Sequence, residues 1–453
     1  MISAKPQARL RTTSLYKILE YNYLIFPPAL LLTFYVCYAF SRYQLDKIGV
    51  STAGDWDWTT VVHVLLTSIC TFTQAPPYAN VWGLCLPVRP FAYARAPLKR
   101  SFKTLRICLV TKGTNFEAVL NSVRQWEDLR RHGFLRFHVV IDDENCQKLR
   151  KALPSFVQII EVPGPGIFRT RKAKYKARAL EFYRQQQNLS EEDWILHLDE
   201  ESLIDEASVH ACLDFILGGE AHIGMGTIYY NGINHWQNSF LSAAEVTRIS
   251  DDFGQFQLPV RICGRPLLGY MHGSWVLING AVENAITWET GCVAEDFWFA
   301  YSAVSRGYKF GWLHAIVREQ PPETLRDFFR QRRRWYTGIF SIPTVFVRLS
   351  LMSTVIGPIS FFVWPLFTFL RDRQTIPHWL FVWLLWNSVS HGYTIGVASV
   401  LQDLVTPGVS WSSMIVHALK SVLLSPFVHL LQAFALLSSL CKPAKGFDVI
   451  AKS

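Results

Sequence analysis

The segment Tyr23–Phe40, YLIFPPALLLTFYVCYAF, holds no charged side chain over about the length that crosses a bilayer's hydrocarbon core. A chain built this way folds partly in lipid, where each backbone N–H and C=O must find its partner inside a helix. No small-residue cleavage site follows the segment, so it is expected to stay as an anchor rather than leave as a signal peptide. Thr59–Thr73 is shorter and contains His63; with Trp56 and Trp58 at its edge it is expected to return the chain as the second arm of a hairpin. Three more apolar stretches follow near the other end, Leu351–Leu370, His378–Leu401 and Ser421–Leu440. The composition agrees, with 50% of the 453 residues hydrophobic and 18% charged.

Lysine and arginine in short flanking segments set orientation. Lys5, Arg9, Arg11 and Lys17 precede the first span; Arg89, Arg95, Lys99, Arg100, Lys103 and Arg106 follow the second without an acid among them. Both flanks therefore read as cytosolic, and so does the long polar stretch between the hairpin and Leu351. Residues 1–22 are then a cytosolic N-terminal segment, 23–75 a transmembrane hairpin, 76–337 a cytosolic domain, 338–348 an interfacial helix, 349–441 transmembrane or interfacial helices and 442–453 a tail. Three C-terminal crossings would put Lys442, Lys445 and Lys452 on the wrong side, so the number of crossings stays open. The net charge of +10 lies largely at juxtamembrane positions, which points to anionic headgroups and away from nucleic acid. The nine cysteines are scattered singly, without paired metal-type spacing, and are expected to stay reduced.

Within the polar stretch, short β-rich runs alternate with helical patterns. Arg106–Thr111, Phe137–Ile141, Val157–Val162 and Trp194–Leu198 read as strands; Asn115–Arg131 and Lys172–Gln187 read as helices. That alternation predicts an α/β fold around a mostly parallel, Rossmann-like sheet, with ligands at the carboxyl ends of the strands. Asp142 and Asp199 fall at such ends.

Five groups of residues at those ends and beyond bear chemistry. Asp199 and Glu201, first and third in Asp199-Glu200-Glu201, are hard oxygen ligands suited to Mg²⁺ or Mn²⁺ with a diphosphate; acids opening a helix are the bland alternative. Asp142 is placed to meet a nucleotide, or it belongs to a solvated turn. In RKAKYKARAL, Lys176 is the candidate phosphate contact, or one of several cations coating a helix. Glu295-Asp296 precede the apolar run FWFAYSAV, a setting that raises a carboxylate's proton affinity and suits a general base, although an N-terminal helix cap reads the same way.

The last group is Gln331–Trp335, QRRRW. On a helix Gln331, Arg334 and Trp335 share one face, offering an amide, a bidentate phosphate contact and an aromatic platform. Arg332 and Arg333 are expected to face lipid headgroups. A plain juxtamembrane basic cluster explains the charge but not that spacing.

Taken in order, these residues resemble the D, DxD, xED, QxxRW pattern of membrane-integrated family 2 glycosyltransferases. The stretches FRTRKAKYKARAL, DWILHLDEES, RISDDFG, HGSWVLI, VAEDFWFAYSAVSRGY and FRQRRRWYTGI look like the egghead-type β-1,4-mannosyltransferases of glycosphingolipid synthesis, a similarity covering roughly Ser101 to Phe340. The resemblance implies a GT-A fold between membrane helices, at the endoplasmic reticulum or Golgi, and transfer of mannose from GDP-mannose to glucosylceramide with inversion. It implies Asp142 at the guanosine, Asp199 and Glu201 at the metal-diphosphate and Asp296 as base. Gln331 and Arg334 would hold the diphosphate, with Trp335 and Glu295 on the acceptor side. Glu201 departs from the wider family, which usually has aspartate there. A processive polysaccharide synthase, a glycolipid transferase using a UDP-sugar and a non-catalytic nucleotide-binding scaffold are the competing readings.

Overall fold

The computed structural model describes residues 21–48, 75–86, 101–142, 147–232, 235–369 and 378–444, with isolated positions between 58 and 69. The chain divides into two compact units. Residues 89–242, 255–347 and 439–453 make one; residues 1–88, 243–254 and 348–438 make the other.

The first unit is α/β. Its main sheet has seven strands: β1 (Thr104–Thr111), β2 (Leu135–Ile141), β3 (Val157–Glu161), β4 (Asp193–Leu198), β5 (Ile223–Met225), β7 (Val276–Asn279) and β8 (Phe310–Trp312). They lie in the order β3-β2-β1-β4-β7-β5-β8, while β6 (Ile228–Tyr229) and β9 (Val317–Arg318) pair separately. The four strands expected from the sequence are β1 to β4, and their pairings with one another are all parallel. Every residue of β4 is buried, the pattern of a strand covered on both faces. β7 interrupts the parallel run, pairing antiparallel with both β4 and β5, with His197 opposite Val276.

Helices cover the sheet. α1 (Phe116–Gln125) turns Ala118, Val119, Leu120 and Val123 inward; α2 (Tyr175–Gln186) buries Ala177, Ala179, Leu180 and Tyr183. α3 (Glu206–Gly218) is closed at its start by a capping box of Asp205 and Ser208 and at its end by Gly219 in the left-handed region. α4 (Gly280–Ile286) follows β7 directly, with Asn279 capping Ala281 N–H. α5 (Glu295–Ser305) packs Phe299, Ala300 and Ala303 into a core shared with Cys108, Ile195 and Ile278. α6 (Leu325–Phe340) starts at Thr324, whose side chain accepts from Asp327 N–H.

The second unit is helical. Among the described residues, three helices are long and apolar enough to cross a membrane, with qualifying spans Asn22–Tyr43, Val345–Val363 and Trp411–Cys441. His378–Leu404 is also one helix, but it buries Asn387, Thr394, Gln402 and Asp403, polar groups that need internal partners in lipid. His417 meets Asp403 at 2.8 Å. Phe26 stacks on Tyr393 at 4.6 Å, and the Tyr393 hydroxyl donates to Asn22 Oδ1. Most of Thr59–Thr73 lies outside the described residues. The single helix expected over 338–348 does not form, because α6 ends at Phe340 and the next helix starts at Val345. Pro343 lies in that break; its ring cannot sit inside a helix without cost, but it is tolerated just before one.

Candidate active site

β2, β1 and β4 are neighbours, with Thr111 opposite Ile141 and Leu109 opposite Leu198. Their carboxyl ends therefore bring Thr111, Asp142 and Asp199 to one edge of the sheet. The Asp199 N–H points between two hydroxyls, Ser202 Oγ and Ser274 Oγ, each at 3.2 Å. Those hydroxyls lie 2.6 Å apart, and Ser202 Oγ also donates to buried Glu319 at 2.8 Å. The turn after β4 is thus fastened to the residue preceding Trp275 and β7.

Lys176, in the first turn of α2, is central to the site. Its ammonium donates to Asp199 Oδ1 and, at 2.8 Å, to Gly273 O, and lies 3.8 Å from Glu295 Oε1. Burial alone would lower its proton affinity, but the charges of Asp199 and Glu295 and the Asp199 hydrogen bond hold it above the ordinary lysine range. Tyr175, immediately before it, has φ 54°, as does Trp275 immediately after Ser274. Left-handed backbone at bulky residues is strained, and such strain collects at functional sites.

Glu295 is buried and Asp296 half-buried at the start of α5. Burial, then the charge of Asp296, push the Glu295 carboxyl up, against Lys176 and Arg334. Burial also raises Asp296, opposed by Lys176, by the Phe297 N–H at 2.8 Å and by Arg334. Both carboxylates line a pocket with Lys176, Met271, His272 and Gly273. Gly273 leaves little room: a Cβ there would meet Asp296 Oδ2 at 3.1 Å and Lys176 Nζ at 3.3 Å. An aromatic cluster adjoins, His272 stacked on Phe256 at 4.5 Å and Tyr270 edge-on to Phe297 at 5.4 Å.

Gln331–Trp335 lie on α6, and the charge of Arg334 acts on both Glu295 and Asp296. Gly338, further along α6, lets the helix sit against Ala294 just ahead of α5; an added Cβ would approach Ala294 N to 2.5 Å. Arg332 departs from expectation. It is 2% exposed, with its guanidinium 4.5 Å from the Phe328 ring and 4.3 Å from the Trp335 ring, and it donates to Gln331 Oε1 at 2.8 Å. It packs inside the protein because two aromatic rings one turn away on either side shelter its flat cation.

Asp142 is not solvated: Arg178 of α2 pairs with it at 2.5 Å. Glu201 is half-buried in the turn after β4, and its charge bears on Glu200. Glu200 carries no sequence signal of its own. Its carboxylate accepts from Thr111 Oγ1 at 2.5 Å and from Asn115 Nδ2, and Ser122 Oγ donates to its carbonyl at 2.8 Å. Burial, assisted by Glu201, pushes its proton affinity up to about 7 despite those donors. Middle position in an acidic triplet gave no sign that Glu200 turns inward to tie β1 and α1 to β4.

Residues 194–438, more than half of the chain, match the family described as glycosyl transferase family group 2. The chain is 36% identical over 314 residues to the β-1,4-mannosyltransferase egh of Drosophila melanogaster, covering 66% of this chain and 67% of that protein. It is 30% identical over 326 residues to the β-1,4-mannosyltransferase bre-3 of Caenorhabditis elegans, covering 67% and 68%. Among solved structures, a mannosyltransferase from Pyrobaculum calidifontis in complex with GDP-Man and Mn²⁺ aligns at TM-score 0.42 and 11% identity, over 83% of this chain and 98% of that one. With a carboxylate pair, a strand-end aspartate and a buried lysine at one edge of a GT-A-like sheet, and with the family match and the fly and nematode relatives, the chain belongs to the family 2 glycosyltransferases.

Proposed function

We propose that the protein is an inverting β-1,4-mannosyltransferase that moves mannose from GDP-mannose to glucosylceramide at the cytosolic face of the endoplasmic reticulum or Golgi. The observation that carries this reading is the Glu295-Asp296 pair, raised by burial and set between Lys176 and the charge of Arg334. The names of the fly and nematode relatives support the sugar and the linkage. The apolar helices support a lipid-borne acceptor, and the lysines and arginines flanking the first hairpin support a cytosolic site.

A divalent cation fits the donor set. Asp199 and Glu201 offer hard oxygens in one turn, and the ammonium seated on Asp199 marks that carboxylate as a place for positive charge. Mg²⁺ or Mn²⁺ held there supplies Lewis-acid relief of the diphosphate's charge. Asp142 meets the nucleoside, Gln331 and Arg334 the diphosphate, and Trp335 and Glu295 the acceptor.

In the transfer, Asp296 takes the proton of the acceptor hydroxyl as that oxygen bonds to the anomeric carbon. On the opposite face the bond from that carbon to the diphosphate oxygen breaks and its electron pair leaves with GDP. Lys176 and Arg334 balance the charge that gathers there. One displacement inverts the anomeric centre, so one base suffices.

The test is purified full-length protein in detergent with glucosylceramide, Mn²⁺ or Mg²⁺, and GDP-mannose, UDP-glucose or UDP-N-acetylglucosamine. One mannose added per lipid is expected. Use of a UDP-sugar with GDP-mannose idle refutes the donor, and a ladder of products marks a processive synthase. No transfer from any donor marks a scaffold.

A further inference from the structure

Lys176 and Arg178 are two residues apart on α2, so their side chains leave the helix on nearly opposite sides. Lys176 reaches Asp199 beyond β4, and Arg178 reaches Asp142 beyond β2, so the start of α2 bridges the end of β1 between them. The Lys176 contact belongs to the reaction centre. The Arg178 contact does not, yet it is at least as well built.

Arg178 and Asp142 are 12% and 15% exposed, and Nη1 donates to Asp142 Oδ1 at 2.5 Å. Nη2 of the same guanidinium donates to Pro163 O, with Phe168 O at 3.4 Å. Phe168 also lays its ring 5.7 Å from the guanidinium and meets Phe182 of α2 edge-on at 4.9 Å. Asp142 N–H is held by Thr111 O at 3.0 Å. A single planar cation therefore fastens the carboxylate after β2 to the loop after β3, at the end of the sheet where a nucleotide is expected. An arginine fork suits this task because it serves several acceptors in one plane, which an ammonium cannot.

We propose that Arg178 is a specificity-determining positioning residue, which sets the nucleobase the donor site accepts by clamping Asp142 to the Pro163–Phe168 loop. This rests on reading the strand ends as the donor nucleotide site. A carboxylate only accepts hydrogen bonds. Guanine presents it with two adjacent N–H donors, whereas uracil places one N–H between two carbonyls that face the carboxylate unfavourably. Fixed in rotamer and depth by Arg178, Asp142 selects the two-donor edge; released, it turns and meets either base.

The experiment is calorimetric binding of GDP and UDP, each with Mn²⁺, to the full chain in detergent. It compares the wild type, Arg178→Gln, Arg178→Lys, Asp142→Asn and the double variant Arg178→Gln/Asp142→Asn, with thermal midpoints as a folding check. Arg178→Gln is expected to lower the ratio of GDP to UDP affinity by about tenfold or more, the size of one lost charge-assisted hydrogen bond. Arg178→Lys keeps part of the ratio. With Asp142→Asn present, Arg178→Gln shifts it by no more than about twofold, since both act on one contact. An equal loss for both nucleotides, an intact ratio, or additive effects in the double variant overturns the proposal. If Arg178→Gln does not fold, Arg178→Lys decides: a shifted ratio supports the proposal and an intact one overturns it. Wild type preferring UDP would refute the GDP-mannose donor, while the change in ratio on substitution still decides the role of Arg178.

Discussion

Gly273→Ala tests the geometry of the reaction centre with the smallest possible change. The added methyl would stand 3.1 Å from Asp296 Oδ2 and 3.3 Å from Lys176 Nζ, against ordinary contact from 3.4 Å, so the carboxylate must yield about 0.3 Å. If a 1 Å misplacement of a catalytic group costs about a hundredfold, 0.3 Å costs about fourfold, and with Lys176 also displaced the loss reaches about tenfold. Gly273 does not have a left-handed φ, so alanine brings no backbone strain of its own. Initial rates of mannosyl transfer should show a kcat lowered about tenfold, KM for the donor within about twofold, and a melting midpoint near wild type. Gly273→Val should lose more by the same route. A kcat unchanged in the alanine variant would refute the reasoning, because the crowding would not reach the carboxylate proposed to take the proton.

Asp296→Asn should keep GDP binding by calorimetry and lose about 10²- to 10⁴-fold in transfer rate; full activity would remove it from the role of base. Because burial raises the Asp296 carboxyl and the proposed role as base needs it ionised, activity should rise with pH through an acid limb above the ordinary carboxylate range, read from log kcat/KM against pH. The raised Glu200 makes the folded state bind the extra proton between pH 4.5, its unfolded value, and about 7, so stability falls as pH rises through that window. Glu200→Gln should flatten that loss, by up to about 3 kcal/mol at pH 8 relative to pH 4, in chemical unfolding at a series of pH values. Arg332→Lys, which forfeits flat stacking on Phe328 and Trp335, should cost about 1–2 kcal/mol in the same assay; an unchanged midpoint would mean the stack contributes nothing.

The parallel strands were legible because β1 to β4 are short segments rich in apolar and β-branched residues, set between helical patterns. The antiparallel β7 was not. VLIN is as apolar as its neighbours, and direction is decided by where the chain arrives from, which short-range pattern does not encode. The carboxylates were legible by position, at strand ends and before an apolar helix. Their cationic partners were harder. Lys176 was the candidate among the cations of α2, whereas nothing singled out Arg178 and Arg332 read as a headgroup contact, because a charged side chain becomes internal only through residues distant in sequence or one turn away. Gly273 had no sequence signal, since the crowding that requires glycine comes from Lys176 and Asp296.

Antiparallel pairing of β4 and β7 has a consequence for how such a protein can diversify. Where one strand leaves the sheet the other enters it, so Asp199 and Ser274 meet although 75 positions separate them. The chain between contributes α3 and also β5, which pairs with β7 and β8 in the same sheet, and it includes residues 243–254 that group with the apolar helices. Its length and content are therefore constrained at β5, which must keep its register with β7 and β8. A graft that exchanged this stretch between two related enzymes would carry a strand of the main sheet with it, and would fold only if that strand kept its register.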